Sequence, residues 1–212
     1  MRKIALLLSF VFLLAGTCLF GVHVCAQDDE RYFAIQKKIG LVSEESGLGS
    51  ETVKLLNEEI TAYLSGESDE IAGVSIKAFM HMEDVRDLIL KSEYVSYALF
   101  AVSALMFLLA GRQCTRLRAG IFSGLLMIAV ILIPVFKRID FHGAFIWFHE
   151  TVFEDDSWIL DPVEDLLIRI LPEEFFSMMA FEVIRLGLIL YLAVGAGAIL
   201  TSSVLYRRRR KL

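Results

Sequence analysis

Cysteine, proline and histidine are scarce in this sequence, and the common catalytic motifs are absent from it. The 212 residues include three cysteines, three prolines and four histidines. A disulfide framework is excluded, because Cys18 and Cys25 share one apolar stretch and Cys114 lies far from both. No GxSxG, HExxH, P-loop, GxGxxG or CxxC pattern occurs, so hydrolase elbows, zincin sites, nucleotide-binding loops and redox pairs have no support.

The composition excludes several broad classes of protein. Hydrophobic residues make up 56% of the chain and charged residues 22%. A chain this apolar cannot remain solvated as a disordered coil, and it lies outside the range typical of soluble globular domains. The net charge of -5 also argues against a nucleic-acid partner.

Four long stretches contain no Asp, Glu, Lys or Arg, namely residues 4–24, 94–111, 119–136 and 186–206. At a rise of about 1.5 Å per residue, stretches of this length cross a hydrocarbon core of about 30 Å. We therefore predict a mainly α-helical membrane protein with four transmembrane helices, at residues 1–25, 94–111, 119–136 and 186–206.

The segments between these stretches differ in charge. Residues 1–3, 112–118 and 207–212 carry basic residues and no acid, whereas all 26 acidic residues lie in 26–93 and 137–185. The positive-inside rule then predicts a cytoplasmic loop at 112–118, a cytoplasmic basic tail at 207–212 and cytoplasmic termini in a multi-pass protein of the cell membrane. It makes 26–93 an extracytoplasmic cap and 137–185 an extracytoplasmic, aromatic-rich interfacial segment.

The first apolar stretch has an alternative interpretation as a cleaved signal peptide. Residues 1–3 match the positively charged region that begins a signal peptide, and Val24-Cys25-Ala26 resembles a small-residue cleavage site. Its length exceeds the usual apolar region of about 7 to 15 residues, which favours a retained span. Cleavage would leave three spans.

Local signals predict the elements of the cap and of the interfacial segment. Ser50 is the expected N-cap of a helix through about Leu64, and Gly66 follows the end of that helix. We expect short strands at Tyr32–Ile39 and Gly73–Phe79, and helix again from residue 82, running into the second span. Pro172, followed by two glutamates, marks the start of a further helix.

Two of the four histidines, His81 and His149, are candidates for proton transfer. The predicted topology places both on the outer side near a span, with Asp84 close to His81 and Glu150 beside His149. Imidazole titrates near neutral pH, and a carboxylate on its far nitrogen steadies the charged form. A purely structural role stays open, as does zinc binding, although the spacing matches no common zinc pattern.

Two motif blocks resemble the lipoprotein intramolecular transacylases of Gram-positive bacteria, and the resemblance extends over nearly the whole chain. The residues that carry it are His81-Met82-Glu83-Asp84-Val85, Phe148-His149-Glu150, Trp158, Asp161-Pro162, Asp165 and Leu171-Pro172-Glu173-Glu174-Phe175-Phe176. The sequence departs from the family pattern at 151–153 and 154–156.

The resemblance implies an acyltransferase with an active site at the outer leaflet. Its substrate would be a diacylglyceryl-modified lipoprotein, whose sn-2 acyl chain moves to the α-amino group of the N-terminal cysteine and leaves an N-acyl lyso-form lipoprotein. His81 and His149 match the two catalytic histidines of the family. No cofactor and no metal are implied, and the expected partners are lipoproteins and membrane lipid.

Acyl transfer of this kind needs a base for the amine, a donor for the oxyanion and an acid for the departing glyceryl oxygen. We expect His149, held by Glu150 or Asp161, to be the base, and His81, oriented by Asp84, to be the donor; the roles of the two could be exchanged. Aromatic residues are expected to line a dry, substrate-binding wall. These are Trp147, Phe148, Phe153, Trp158, Phe175 and Phe176.

Two other functions remain open from the sequence. One is a non-catalytic membrane scaffold or sensor whose acidic cap binds an envelope partner, which alanine substitution of the histidines would distinguish. The other is a metal-dependent membrane hydrolase, which would lose activity in a chelator.

Overall fold

A computed structural model describes residues 1–42, 49–111, 115–136 and 140–209, and within these ranges the chain forms eight α-helices and no strand. The helices are α1 (Arg2–Ala26), α2 (Asp29–Lys38), α3 (Ser50–Ser65), α4 (Ile76–Ala110), α5 (Thr115–Phe136), α6 (Phe141–Val152), α7 (Leu166–Ile170) and α8 (Glu173–Arg209). The predicted mainly α class is confirmed. Parts of the predicted cytoplasmic loop and basic tail, 112–114 and 210–212, lie outside the described residues.

Three of the described helices are long and apolar enough to cross a membrane: α1, α4 and the Glu173–Val204 part of α8. They contain the first, second and fourth predicted spans. The third predicted span lies in α5, whose apolar stretch, Leu117–Ile133, is shorter than these.

The strand expected at Tyr32–Ile39 is wrong, because the stretch up to Lys38 belongs to α2 and Ile39 is the C-cap of that helix. Asp28 caps the helix, and its carboxylate accepts a hydrogen bond from the backbone N–H of Arg31 over 2.9 Å. Two acidic residues in the first turn and two lysines in the last complement the helix dipole. Buried side chains recur three and four positions after Tyr32, so a helical face, and not alternate residues of a strand, packs against the core.

The second expected strand, Gly73–Phe79, is also wrong. Gly73 has a φ of 73°, and this left-handed backbone is typical of a turn. Helix α4 begins at Ile76, before the expected start at residue 82, and continues unbroken to Ala110. The prediction that this helix runs into the second apolar stretch is therefore confirmed, and His81 lies in the second turn of α4.

Helix α3 agrees with its sequence signals to within a residue at each end. It begins at Ser50, with Gly49 rather than Ser50 at the N-cap. It ends at Ser65, and Gly66 adopts a left-handed φ of 85° that satisfies the last turn through its backbone N–H. A side chain at this position would strain the backbone, which explains the glycine.

One compact unit of the chain consists of Met1–Gly21, Glu93–Ile139 and Ile184–Leu212. The buried residues of its core are Leu6, Phe10, Leu13, Ala110, Phe122, Tyr191 and Ile199. The rings of Phe122 and Tyr191 stack with centroids 4.8 Å apart. Gly195 makes room for this pair, because a Cβ there would overlap the Phe122 ring.

The other compact unit consists of Val22–Ser92 and Asp140–Val183, and it contains both candidate histidines. Its core is built on the buried faces of α2, α3 and α7 and on the N-terminal parts of α4 and α8. Phe175, fully buried, packs edge-on against Tyr32 with the ring centroids 4.9 Å apart. The Arg86 guanidinium lies over the Tyr63 ring, 4.8 Å from its centroid.

A buried amide pair joins three helices of this second unit. Gln36 of α2 and Asn57 of α3, both fully buried, exchange hydrogen bonds of 3.0 Å and 2.7 Å. The Gln36 amide also donates to the backbone carbonyl of Ile170, the last residue of α7, over 2.9 Å. Because these groups satisfy one another away from water, the pair fixes α2, α3 and α7 together.

Candidate catalytic site

His81 and His149 lie against each other inside the second unit. Their ring centroids are 5.8 Å apart, although 68 residues separate them in the chain. Each residue is only 8% exposed. His81 comes from α4 and His149 from the last turn of α6.

The hydrogen bond on one side of His149 fixes its tautomer. The Nδ1 atom lies 2.7 Å from the backbone carbonyl oxygen of Phe145, one turn earlier in α6. A carbonyl can only accept, so Nδ1 carries the proton and donates it. The Nε2 atom of the neutral ring therefore keeps its lone pair, as a general base requires.

Aromatic rings enclose the histidine pair. The backbone of Phe153, which follows α6, is extended, and its side chain reaches both histidines, with ring centroids 4.8 Å from His81 and 5.4 Å from His149. Phe145 and Trp158 pack against His149 at 4.1 Å and 4.9 Å. Such a surrounding excludes water from the two imidazoles.

This burial keeps both imidazoles uncharged. It lowers the pKa of His81 to about 4, helped by the neighbouring His149 and opposed by the carboxylate of Asp155. Burial also lowers the pKa of His149, while its hydrogen bond to the Phe145 carbonyl acts in the opposite direction. At neutral pH both rings can accept a proton.

The three carboxylates expected to support the histidines form neither a hydrogen bond nor an ion pair with them among the described residues. Asp84, Glu150 and Asp161 are exposed. Asp161 instead stabilises its own turn, since its Oδ1 accepts from the backbone N–H of Val163 over 2.8 Å. The nitrogen of His149 that was expected to meet a carboxylate is bonded to a backbone carbonyl.

The six expected wall residues fall into two groups. Phe148, Phe153 and Trp158 contact the His149 ring, with centroids within 5.4 Å. The others have no ring contact with a histidine in the described ranges. Trp147 is 66% exposed, Phe175 belongs to the apolar core, and Phe176 packs on Phe145 at 5.7 Å.

Sequence reasoning missed two residues of the site, Phe145 and Asp155. Phe145 precedes His149 by four residues, so its place on the same helical face could have been recognised from the spacing. Asp155 interacts electrostatically with His81. Nothing local in the sequence signals that pairing, because the two residues come from distant segments.

An acidic pocket of about 290 Å³ adjoins Phe153. Its lining residues are Asp84, Asp87, Leu88, Lys91, Val152, Phe153, Glu154 and Asp155. Lys91 is the single basic residue among them, and its Nζ lies 3.7 Å from a carboxylate oxygen of Asp87. In the part of the chain that the structure describes, no group of three or more His, Cys, Asp or Glu residues is arranged to hold a metal ion.

Three long apolar helices indicate a membrane protein, and a buried pair of neutral imidazoles suits an enzyme that transfers protons. The sequence model of the lipoprotein intramolecular transacylase Lit family matches residues 5–176, which is most of the chain. The protein therefore belongs to this family, and it is a transferase. A comparison with curated proteins gave no match.

Solved structures of the lipoprotein intramolecular transacylase Lit from Bacillus cereus share this fold. One is 21% identical with a TM-score of 0.67, and the alignment covers 100% of this chain and 96% of that one. A form with a histidine-to-arginine substitution is 20% identical with a TM-score of 0.69, covering 100% and 92%. A histidine-to-alanine form is 19% identical with a TM-score of 0.71, covering 100% and 96%.

Proposed function

We propose that this protein moves the sn-2 acyl chain of a diacylglyceryl-modified lipoprotein onto the α-amino group of the lipoprotein's N-terminal cysteine. The product is an N-acyl lyso-form lipoprotein. The observation that carries the proposal is the buried pair of neutral imidazoles in a chain of the transacylase family. The family name states an intramolecular acyl transfer, and two proton-transfer groups side by side suit that chemistry.

The state of each ring suggests a division of roles. As the amine attacks the ester carbonyl, the Nε2 atom of His149 takes the proton from nitrogen. His81, whose low pKa keeps it neutral, donates an N–H to the developing oxyanion. When the carbon–oxygen bond to glycerol breaks, the protonated His149 returns its proton to the glyceryl oxygen, which balances the proton count.

The surroundings of the pair favour transfer over hydrolysis. Phe153 and Trp158, which pack against the imidazoles, would keep water from the ester. Both reacting groups belong to one substrate, so the main task is to hold them together, and such positioning is worth about 7 to 11 kcal/mol. The amide product is more stable than the ester, so the proposed reaction calls for neither nucleotide nor metal.

The proposal includes a topology in which the site faces the outer leaflet. The charge distribution supports it, since every acid lies in 26–93 and 137–185 and three basic segments flank the apolar stretches. The family match begins at residue 5, inside α1, which supports retention of the first apolar helix. Four spans would follow, with α5 as the shortest.

The test is mass spectrometry of the N-terminal lipopeptide of a reporter lipoprotein. The wild-type protein should shift one acyl chain from glycerol to nitrogen at unchanged total mass. His149→Ala and His81→Ala should each lower the conversion rate by about a hundredfold or more, which is the usual contribution of a positioned proton-transfer group.

His142→Ala is the matched control, because His142 belongs to the same helix as His149 but is exposed and bonded to Glu173. It should retain conversion. Full conversion by both the His81 and the His149 variants would refute catalysis by this pair, whereas equal conversion with and without the protein would favour a scaffold or sensor.

A further inference from the structure

The acidic pocket beside Phe153 carries more negative charge than the protein itself neutralises. Lys91 pairs with Asp87. Asp84 and Glu154 are exposed to the pocket, and neither has an ion-pair partner among the described residues. The pocket is therefore suited to a cationic group of limited size.

One of these carboxylates is held in place. Asp155 accepts a hydrogen bond from the backbone N–H of Ser157 over 2.8 Å. The side chain and the backbone N–H of Ser157 also keep the pKa of Asp155 below its usual range, so this carboxylate is charged at neutral pH. Its position is set before any ligand arrives.

His81, which does not itself line the pocket, gives an independent sign that a polar ligand belongs beside it. Its Nδ1 atom is buried and has no hydrogen-bond partner, and the residue is only 8% exposed. The His81 ring lies against Phe153 and interacts electrostatically with Asp155, and both of these residues line the pocket. A buried nitrogen left unpaired is costly, and a ligand with N–H donors would satisfy it.

We infer that this pocket binds the primary ammonium group of the substrate's N-terminal residue and presents it to the histidine pair; the inference rests on the proposed function. The α-amino group of a free N-terminus has a pKa of about 7.7 to 8.0, so it arrives mainly as a cation. Recognition then uses the charged form; the ammonium releases one proton to solvent through the pocket, and His149 takes the second as the amine attacks. Carboxylates that only bind the cation should affect KM and not kcat.

The experiment uses the full-length protein in detergent micelles and a synthetic diacylglyceryl-cysteinyl lipopeptide. Asp84→Asn and Glu154→Gln should each raise the KM for this lipopeptide about fivefold, the effect of one partly screened charge, with little change in kcat. Glu164→Gln is the matched control, because Glu164 is exposed and does not line the pocket. It should leave both parameters unchanged.

A second probe separates the effect of the ammonium group on binding from that of the rest of the lipopeptide. It is the same lipopeptide with a hydroxyl in place of the α-amino group, and its binding is measured directly. The wild type should bind the amine more tightly than the hydroxyl analogue, and the two pocket variants should lose that preference. Equal loss of affinity for both probes, or an unchanged KM in both variants, would overturn the inference.

The two proposals fail in different ways. Conversion by the wild type with an unchanged KM in both pocket variants rejects the ammonium pocket and leaves the transacylase function intact. Absence of conversion by the wild type rejects the proposed function, and the binding preference for the amine then decides on the pocket alone.

Discussion

The chemistry proposed for the site depends on two imidazoles staying neutral at close range. Two charged rings with centroids 5.8 Å apart would repel each other in a setting that screens charge poorly. Burial against Phe153, Phe145 and Trp158 removes that conflict, because it disfavours the charged form of both rings. The hydrogen bond of His149 to the Phe145 carbonyl then selects which nitrogen is free to act as the base in the proposed reaction.

The shifted pKa of His81 predicts a specific dependence of stability on pH. Its folded-state pKa of about 4 lies below the value of about 6.5 in the unfolded chain, so the unfolded chain takes up the proton first. The contribution of His81 to the free energy of unfolding is therefore present above pH 6.5 and is lost as the pH falls towards 4. Between pH 6.5 and 4, the melting temperature of His81→Gln should therefore fall less than that of the wild type, by about 3 °C or more.

His142 provides a control of opposite sign. Its Nδ1 lies 2.8 Å from Glu173, and this hydrogen bond raises its pKa. The stabilisation is present below the pKa of the unfolded chain and is lost as the pH rises through the folded-state pKa. His142→Gln should not reduce the loss of melting temperature between pH 6.5 and 4. An equal loss in the wild type and in His81→Gln would contradict the assignment of the lowered pKa to His81.

At the level of elements, the buried amide pair fixes the scaffold of the second unit. Gln36 and Asn57 join α2 to α3, and the carbonyl of Ile170 brings in α7. Residues 171 and 172 then lead directly into α8. The three helices are therefore coupled through a few polar atoms that water does not reach.

The two amides of this pair should be energetically coupled. Gln36→Met or Asn57→Leu alone leaves a buried amide without its partner, and each should lower the free energy of unfolding by about 1 to 3 kcal/mol. The double variant should cost less than the sum of the two, because fewer polar groups remain unpaired. Thermal unfolding in detergent measures this difference.

Gln27→Met supplies the matched control at a half-buried position between α1 and α2. It should change the free energy of unfolding by no more than about 0.5 kcal/mol. Strict additivity of the Gln36 and Asn57 variants would mean that the two amides are not energetically coupled.

At the level of the whole molecule, the proposed topology can be tested by thiol labelling of intact cells. Cys114 lies in the predicted cytoplasmic loop and serves as a native probe once Cys18 and Cys25 are replaced by alanine. A membrane-impermeant maleimide should label Cys114 only after permeabilisation. Glu164→Cys, in a background without Cys114, should react in intact cells, and labelling of Cys114 without permeabilisation would exclude the proposed orientation.

The two expected strands illustrate where sequence signals were insufficient. The apolar residues of 32–39 fit the period of a strand and also that of a helix. The Asp28 carboxylate, which accepts a hydrogen bond from the Arg31 backbone N–H, stabilises the helix. The start of α4 at Ile76 was missed because Gly73 was assigned to a strand, whereas its positive φ marks a turn. Long apolar helices were predicted more accurately than these short elements, since their signal is summed over many residues.

The sequence alone determined the helical class and the apolar helices and indicated the two candidate histidines, because apolar length, charge and side-chain chemistry are local properties. Tertiary structure alone decided what those histidines contact. The exposed carboxylates Asp84 and Glu150 were sequence neighbours of the histidines, yet the Phe145 carbonyl and the carboxylate of Asp155 act on the rings instead. Helix direction and packing set those partners, and neither can be obtained from proximity in the chain.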